Sequence, residues 1–158
     1  MAENKTQNDY YTEEDKAAAI AYAVENGFPP LGLWNMPQFT PNLIRAFVDK
    51  EKLVNGFAMQ YLSPMDRQVI YCVISAANNC EMCLSFHAAG LLQSKYITPS
   101  DLTLMIHGGL PTDEQLRPIA VAAKYCHSHK GILLEREKAH LAALGVSEEK
   151  YGEINFYA

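Results

Sequence analysis

The chain has 158 residues, of which 49% are hydrophobic and 20% charged, and its formal net charge is −5. This composition is typical of a globular protein, and the length predicts a single domain over residues 1–158. The negative charge is unsuited to nucleic-acid binding, and no apolar stretch is long enough to span a membrane. The polar N-terminus, residues 1–9, lacks the apolar segment of a secretion signal, so we expect a cytoplasmic location.

Start and stop signals along the chain predict a succession of helices. A capping box at Thr12 and Asp15 predicts the first helix over residues 13–26. The pair Thr40-Pro41 predicts the start of the second, whose apolar positions continue to Leu62. Further helices are predicted over residues 64–77, 80–93, 98–108, 112–130, 135–144 and 147–157. Because no alternating run bounded by a hairpin turn is present, the sequence predicts an all-α protein.

Two features inside this pattern leave alternatives open. Residues 28–38 contain three prolines and read as a loop, but they are also rich in apolar side chains. These side chains could dock on a neighbouring subunit or cover the chain's own core. With the two tyrosines that precede the first helix, the set is Tyr10, Tyr11, Phe28, Leu31, Leu33 and Trp34. Pro118 falls inside the helix predicted over residues 112–130, where a proline can introduce a kink.

The chemistry is concentrated in one short segment. Cys80 and Cys83 are three residues apart, and His87 follows Cys83 by four residues, so all three side chains share one face of a helix. The Asn78-Asn79 break places Cys80 near the start of that helix, where the free N–H groups favour a thiolate. Such a pair can exchange electrons through a reversible disulfide, with His87 as the proton shuttle.

Other interpretations of the same residues remain. The cysteines could be small buried hydrophobic residues on a core-facing stripe. Alternatively, Cys80, Cys83 and His87 could be three of four zinc ligands, with the fourth from Cys126, His127 or His129, although a second paired ligand motif is missing. Haem attachment is excluded because Leu84 stands where its histidine must be, and a thioredoxin fold lacks its βαβ pattern. Cys72, in the middle of an apolar helix, is expected to pack in the core.

From Leu62 to the C-terminus, the chain resembles the carboxymuconolactone decarboxylase family in its alkylhydroperoxidase D-like branch. The similarity is carried by Leu62-Ser63-Pro64, the helix over residues 66–77, the Cys-x-x-Cys-x-x-x-His motif, and residues 88–91 and 109–117. The first sixty residues match loosely. The single domain is therefore interpreted as an N-terminal helical region, residues 1–60, followed by a family-like core, residues 61–158.

The resemblance implies a helical homo-oligomer, often dimers grouped into a hexamer, that reduces peroxides or a partner peroxidase through its two cysteines. In the branch's pattern an acidic residue precedes the first cysteine by twelve positions and relays protons with the histidine. This chain has Gln68 there, which can form hydrogen bonds but cannot carry a proton. Some relatives also have a second histidine where this chain has Met82.

These observations predict a thiol-dependent peroxidase or disulfide oxidoreductase of antioxidant defence. We assign Cys83 as the attacking thiolate, because His87 lies one turn away, and Cys80 as the resolving thiol; the dipole at the helix start also supports the reverse order. Gln68 is included as a positioning residue. No cofactor and no metal are expected, and the partners are a peroxide and a thiol reductant or redox protein. The alternatives are a lactone decarboxylase and a non-catalytic, zinc-structured binding protein.

Overall fold

The computed structural model describes residues 11–28, 32–56 and 59–158, and within these ranges it contains helices and no strands. The predicted all-α class is therefore confirmed. The eight α-helices of the described ranges are α1 (Glu13–Glu25), α2 (Pro41–Gly56), α3 (Pro64–Ala77), α4 (Glu81–Gln93), α5 (Pro99–Ile106), α6 (Leu116–His129), α7 (Glu135–Ala143) and α8 (Glu148–Tyr157). No helix in these parts of the chain is long and apolar enough to cross a bilayer.

The chain divides into two compact units, Met1–Ala58 and Met59–Ala158. This division falls close to the predicted boundary near residue 60. The single domain over residues 1–158 stays a prediction.

In the first unit, α1 packs against α2 and a short 3₁₀ helix, Gly32–Asn35, lies between them in the chain. The 3₁₀ helix carries Trp34, which is 1% exposed and packs into the core of this unit with Phe28 at its edge. For these two residues the alternative of covering the chain's own core is correct. Tyr10 and Leu31 lie outside the described residues, as does the side chain of Leu33.

The predicted helix starts are explained by capping hydrogen bonds. In α1 the Thr12 hydroxyl accepts the Asp15 N–H while the Asp15 carboxylate accepts the Thr12 N–H, and Ser63 and Asp66 repeat this capping box at α3. The second predicted helix is shorter than expected. It ends at Gly56, so that Leu62 lies beyond it as a buried residue before the Ser63 cap.

The sixth helix also starts later than predicted, at Leu116 instead of residue 112. The Asp113 carboxylate accepts the N–H groups of Gln115 and Leu116, so residues 112–115 form the cap and not the first turn. Pro118 is consequently the third residue of α6. An N–H at this position has no carbonyl partner within the helix, so the proline removes no helical hydrogen bond.

The second unit is built around α3, which packs against α4, α5, α6 and α8. Its buried side chains include Val69, Ile70, Cys72 and Val73, and they meet an almost fully buried stripe of α6 that runs from Ile119 to Ala123. The prediction that Cys72 packs in the core is in agreement with this burial. With its inner face fixed in this way, α3 directs Gln68 and Tyr71, both half-buried, towards α4.

Candidate active site

The two cysteines of the motif form a disulfide at the start of α4. Cys80 is the N-cap residue and Cys83 is the third residue of the helix, and their Cα atoms are 5.4 Å apart. Both sulfur atoms therefore lie at the positive end of the helix dipole, where a thiolate is favoured once the disulfide is reduced. Both residues are half-buried, which leaves part of the pair accessible from solvent.

The turn that delivers Cys80 is held by defined hydrogen bonds. Asn79 adopts a left-handed backbone conformation with a φ of 52°, which asparagine tolerates better than most residues. The Cys80 N–H donates to the Ser75 carbonyl at 2.9 Å, and His127 Nε2 of α6 donates to Asn78 Oδ1 at 2.9 Å. The break between α3 and α4 is thus an ordered turn that places Cys80 at the helix start.

His87 and Gln68 contact each other across the α3–α4 interface. His87 Nδ1 lies 2.8 Å from Gln68 Oε1. Because an amide oxygen can only accept, Nδ1 must carry the proton, and a neutral His87 then has its free lone pair on Nε2. Gln68 therefore fixes the tautomer that can accept a proton, although it cannot carry one itself.

Burial controls the charge of His87. In the disulfide form, desolvation lowers the pKa of His87 from 6.5 to about 4, so the imidazole is neutral at neutral pH. Part of this burial comes from Tyr71, whose ring centroid is 4.8 Å from that of His87 with 31° between the planes. Tyr71 is absent from the predicted site. Its spacing of three residues from Gln68, which puts both on one face of α3, was the available signal.

The other candidate zinc ligands have different partners. His127 contacts Asn78, His129 Nε2 lies 2.8 Å from the Glu137 carboxylate, and the Cys126 thiol donates to Asn155 Oδ1 at 2.8 Å. Among the residues that the structure describes, no group of three or more His, Cys, Asp or Glu side chains could hold a metal ion. The structure thus joins Cys80 to Cys83 and places Gln68 against His87, and in the described parts of the chain no side chain completes a zinc site with them.

The remaining two cysteines are buried and lie outside this pair. Burial raises the pKa of Cys72 to about 11 and also raises the pKa of Cys126. Both therefore stay protonated at neutral pH, where the thiol form is a poor nucleophile.

A comparison with known families finds a match in the middle of the chain. Residues 44–113 match the Carboxymuconolactone decarboxylase family, in agreement with the family that the sequence resembles. The matched segment starts earlier than the predicted similarity and ends well before the C-terminus, and it contains Gln68, Cys80, Cys83 and His87. No curated protein and no solved structure matches the chain significantly.

Proposed function

We propose that the protein is a thiol-dependent peroxidase or disulfide oxidoreductase of antioxidant defence. It would be a member of the carboxymuconolactone decarboxylase family, which residues 44–113 match. The observation that carries this proposal is the disulfide between Cys80 and Cys83 at a helix N-terminus, with His87 one turn further along. A reversible disulfide at such a position is the chemical requirement for two-electron exchange with a substrate. Lactone decarboxylation would make no use of the cysteine pair, and it is the less favoured activity.

The proposed cycle begins with the reduced pair. The Cys83 thiolate attacks one peroxide oxygen, the O–O bond breaks, and the products are a Cys83 sulfenic acid and an alkoxide that takes up a proton to leave as an alcohol. Cys80 then attacks the sulfenic sulfur, forming the S–S bond and releasing water. A thiol reductant or redox protein returns two electrons and two protons through a mixed disulfide. The proposed cytoplasmic location would supply such reductants.

His87 and Gln68 serve the proton steps of this cycle. With Nδ1–H held by Gln68 Oε1, the Nε2 atom of His87 can accept the proton of Cys83 and later return it to the leaving alkoxide. A buried imidazole with a low pKa is a weak base in the disulfide form. After reduction, a thiolate one turn away stabilises the imidazolium and raises the pKa of His87 above its value in the disulfide form.

We also propose a homo-oligomer, supported by the surface of α4 and no longer by Trp34, which is buried. The helix is rich in apolar side chains, yet among its thirteen residues Ala88 and Leu91 are the buried ones. Met82 is 45% exposed and Leu92 41% exposed. Large exposed apolar side chains often mark a surface that another molecule covers, and a second copy of the chain is the proposed cover. Light scattering that returns 17.6 kDa at every concentration would contradict this.

The function is tested by oxidising the reduced protein with one equivalent of peroxide and mapping its cysteines by mass spectrometry. We expect a Cys80–Cys83 bridge and free thiols at the two buried positions. A peroxidase assay with several dithiol reductants should then lose its turnover in Cys83→Ser. The matched control is Cys126→Ser, which keeps a hydrogen-bond donor to Asn155 and removes a thiol outside the site.

The roles of the two sulfurs are separated by trapping. In Cys80→Ser, a sulfenic acid should accumulate on Cys83 and react with dimedone, because the resolving thiol is missing. A sulfenic acid trapped on Cys80 in Cys83→Ser, with none on Cys83 in Cys80→Ser, would reverse the assignment. Oxidation confined to Cys126, or full turnover without either cysteine of the pair, would refute the proposed function.

A further inference from the structure

One face of the His87 imidazole is covered by an aromatic side chain from the neighbouring helix. The Tyr71 ring of α3 lies over it at 4.8 Å between centroids, tilted by 31°, while the Gln68 amide contacts Nδ1 from the same helix. The two contacts constrain different degrees of freedom. The hydrogen bond fixes the rotation of the imidazole, and the ring contact fixes the plane in which it lies.

The position of Tyr71 is in turn defined by the last turn of α8. Tyr157 is 7% exposed, and its ring meets that of Tyr71 edge-on, at 6.0 Å and 87°. The guanidinium of Arg67, 8% exposed, donates to the Tyr157 hydroxyl at 3.3 Å and lies 5.4 Å from its ring centroid. The hydrogen bond and the ring contact together hold Tyr157 in one orientation.

We propose that Tyr71 is a positioning residue of the thiol site, with its ring face holding the His87 imidazole in place and away from water, and that Tyr157 supports Tyr71. The inference deepens the proposed function and rests on it, since it assigns the residue that prepares His87 for proton transfer. The relevant part of Tyr71 is its ring. A flat apolar face excludes water from one side of the imidazole, and its edge-on contact with Tyr157 limits rotation.

The groups around His87 are few enough for the effect of Tyr71 to be isolated. Within the described residues, α3 contributes Tyr71 and, one layer further out, Arg67, and α8 contributes Tyr157. On α4 itself, the Phe86 ring meets the His87 ring edge-on at 5.2 Å between centroids, and the two cysteines do not titrate as a disulfide. The acidic side chain of α5, Asp101, is bound by Thr98 and Thr112. Desolvation is accordingly the cause that lowers the pKa of His87 to about 4.

The test is an NMR titration of the His87 ring in the disulfide form of the full chain, with its resonance assigned by comparison with His87→Asn. In Tyr71→Leu the pKa of His87 should rise from about 4 towards its ordinary value of 6.5, because water reaches the exposed ring face. The matched control, Tyr71→Phe, keeps the ring and should leave the pKa near 4. Tyr157→Leu, which loosens the support, should give an intermediate value.

The reduced variants are then assayed for peroxidase turnover as a function of pH. Tyr71→Leu should lower kcat with little change in KM and shift the acidic limb of the profile in step with the NMR titration. An unchanged pKa in a folded Tyr71→Leu, or an equal rise in Tyr71→Phe, would overturn the role of the ring. The NMR titration is independent of the proposed function, whose failure would appear as absent turnover in the wild type with the NMR difference intact.

Discussion

Protonation of His87 should by itself lower the stability of the disulfide form in mildly acidic solution. The folded chain holds this imidazole in a site that lowers its pKa from 6.5 to about 4, whereas the unfolded chain leaves it in water. At pH values between these two, the His87 imidazole is protonated in the unfolded chain and neutral in the folded chain. Protons therefore favour unfolding in this window, and stability rises with pH from about 4 to 6.5.

The size of the effect follows from the two pKa values. Their full separation corresponds to roughly 3–4 kcal/mol, since each pKa unit is about 1.4 kcal/mol. At a pH of about 4.5, where the folded imidazole has begun to take up protons, the expected loss relative to neutral solution is roughly 2–3 kcal/mol. This is a large part of the 5–15 kcal/mol by which domains are typically stable.

The assay is urea unfolding of the oxidised protein, followed by far-UV circular dichroism, for wild type and His87→Asn at a series of pH values. Carboxylates titrate in both proteins, so their contributions cancel in the difference between the two. Between neutral solution and a pH of about 4.5, we expect the wild type to lose roughly 2–3 kcal/mol of unfolding free energy more than His87→Asn does. Parallel curves for the two proteins would refute the reasoning.

A second variant, Gln68→Glu, tests whether the lowered pKa of His87 causes the loss of stability in acid. In Gln68→Glu a carboxylate would face Nδ1, and an opposite charge at hydrogen-bond distance typically raises a histidine pKa by about 1–3 units. The acid-induced loss should shrink accordingly, to about 1–2 kcal/mol or less. If the proposed proton relay operates, peroxidase turnover should also rise, whereas a flat or lower turnover would show that the relay does not limit the reaction.

Two further predictions concern the frame of the site. Replacing Asn79, whose φ is 52°, with valine should destabilise the protein by about 1–2 kcal/mol in urea unfolding, while Asn79→Gly should leave it equally stable or better; equal losses would point to side-chain contacts instead. Asp101 is 3% exposed and accepts both the N–H and the hydroxyl of Thr112, so Asp101→Ala should lower the unfolding free energy by roughly 2–3 kcal/mol. A loss below about 0.5 kcal/mol would show that solvent replaces these hydrogen bonds.

The helices could be predicted from the sequence largely because their starts are encoded locally. Thr12 with Asp15, and Ser63 with Asp66, satisfy free N–H groups within four residues, so no tertiary information is required. The prediction from such local signals was wrong at the start of α6. Asp113 and Glu114 are residue types that are common in the first turn of a helix, but here they belong to the cap. The difference depends on how Asp113 is oriented, and composition does not contain that information.

The site could be predicted in part for a related reason. Cys80, Cys83 and His87 lie on one helix, whose periodicity is enough to place them on one face. The contact between Gln68 and His87 joins two helices, and it was expected from the family pattern alone. Tyr71 was missed because its contact with His87 depends on how α3 and α4 pack, and Trp34 stayed ambiguous because an apolar loop residue fits an interface or a core equally well.

The cysteine pair occupies the two positions that a capping box uses elsewhere in this chain. At α3 the N-cap Ser63 and the third residue, Asp66, are joined by hydrogen bonds, whereas at α4 Cys80 has no capping hydrogen bond and its sulfur is joined covalently to the third residue, Cys83. A hydrogen-bonded cap opens and closes with thermal motion, but a disulfide is broken only by reduction or by exchange with a thiol. Reduction would therefore leave the first turn of α4 with neither a covalent bond nor a capping hydrogen bond between its N-cap and third residue, and reoxidation would restore the covalent bond.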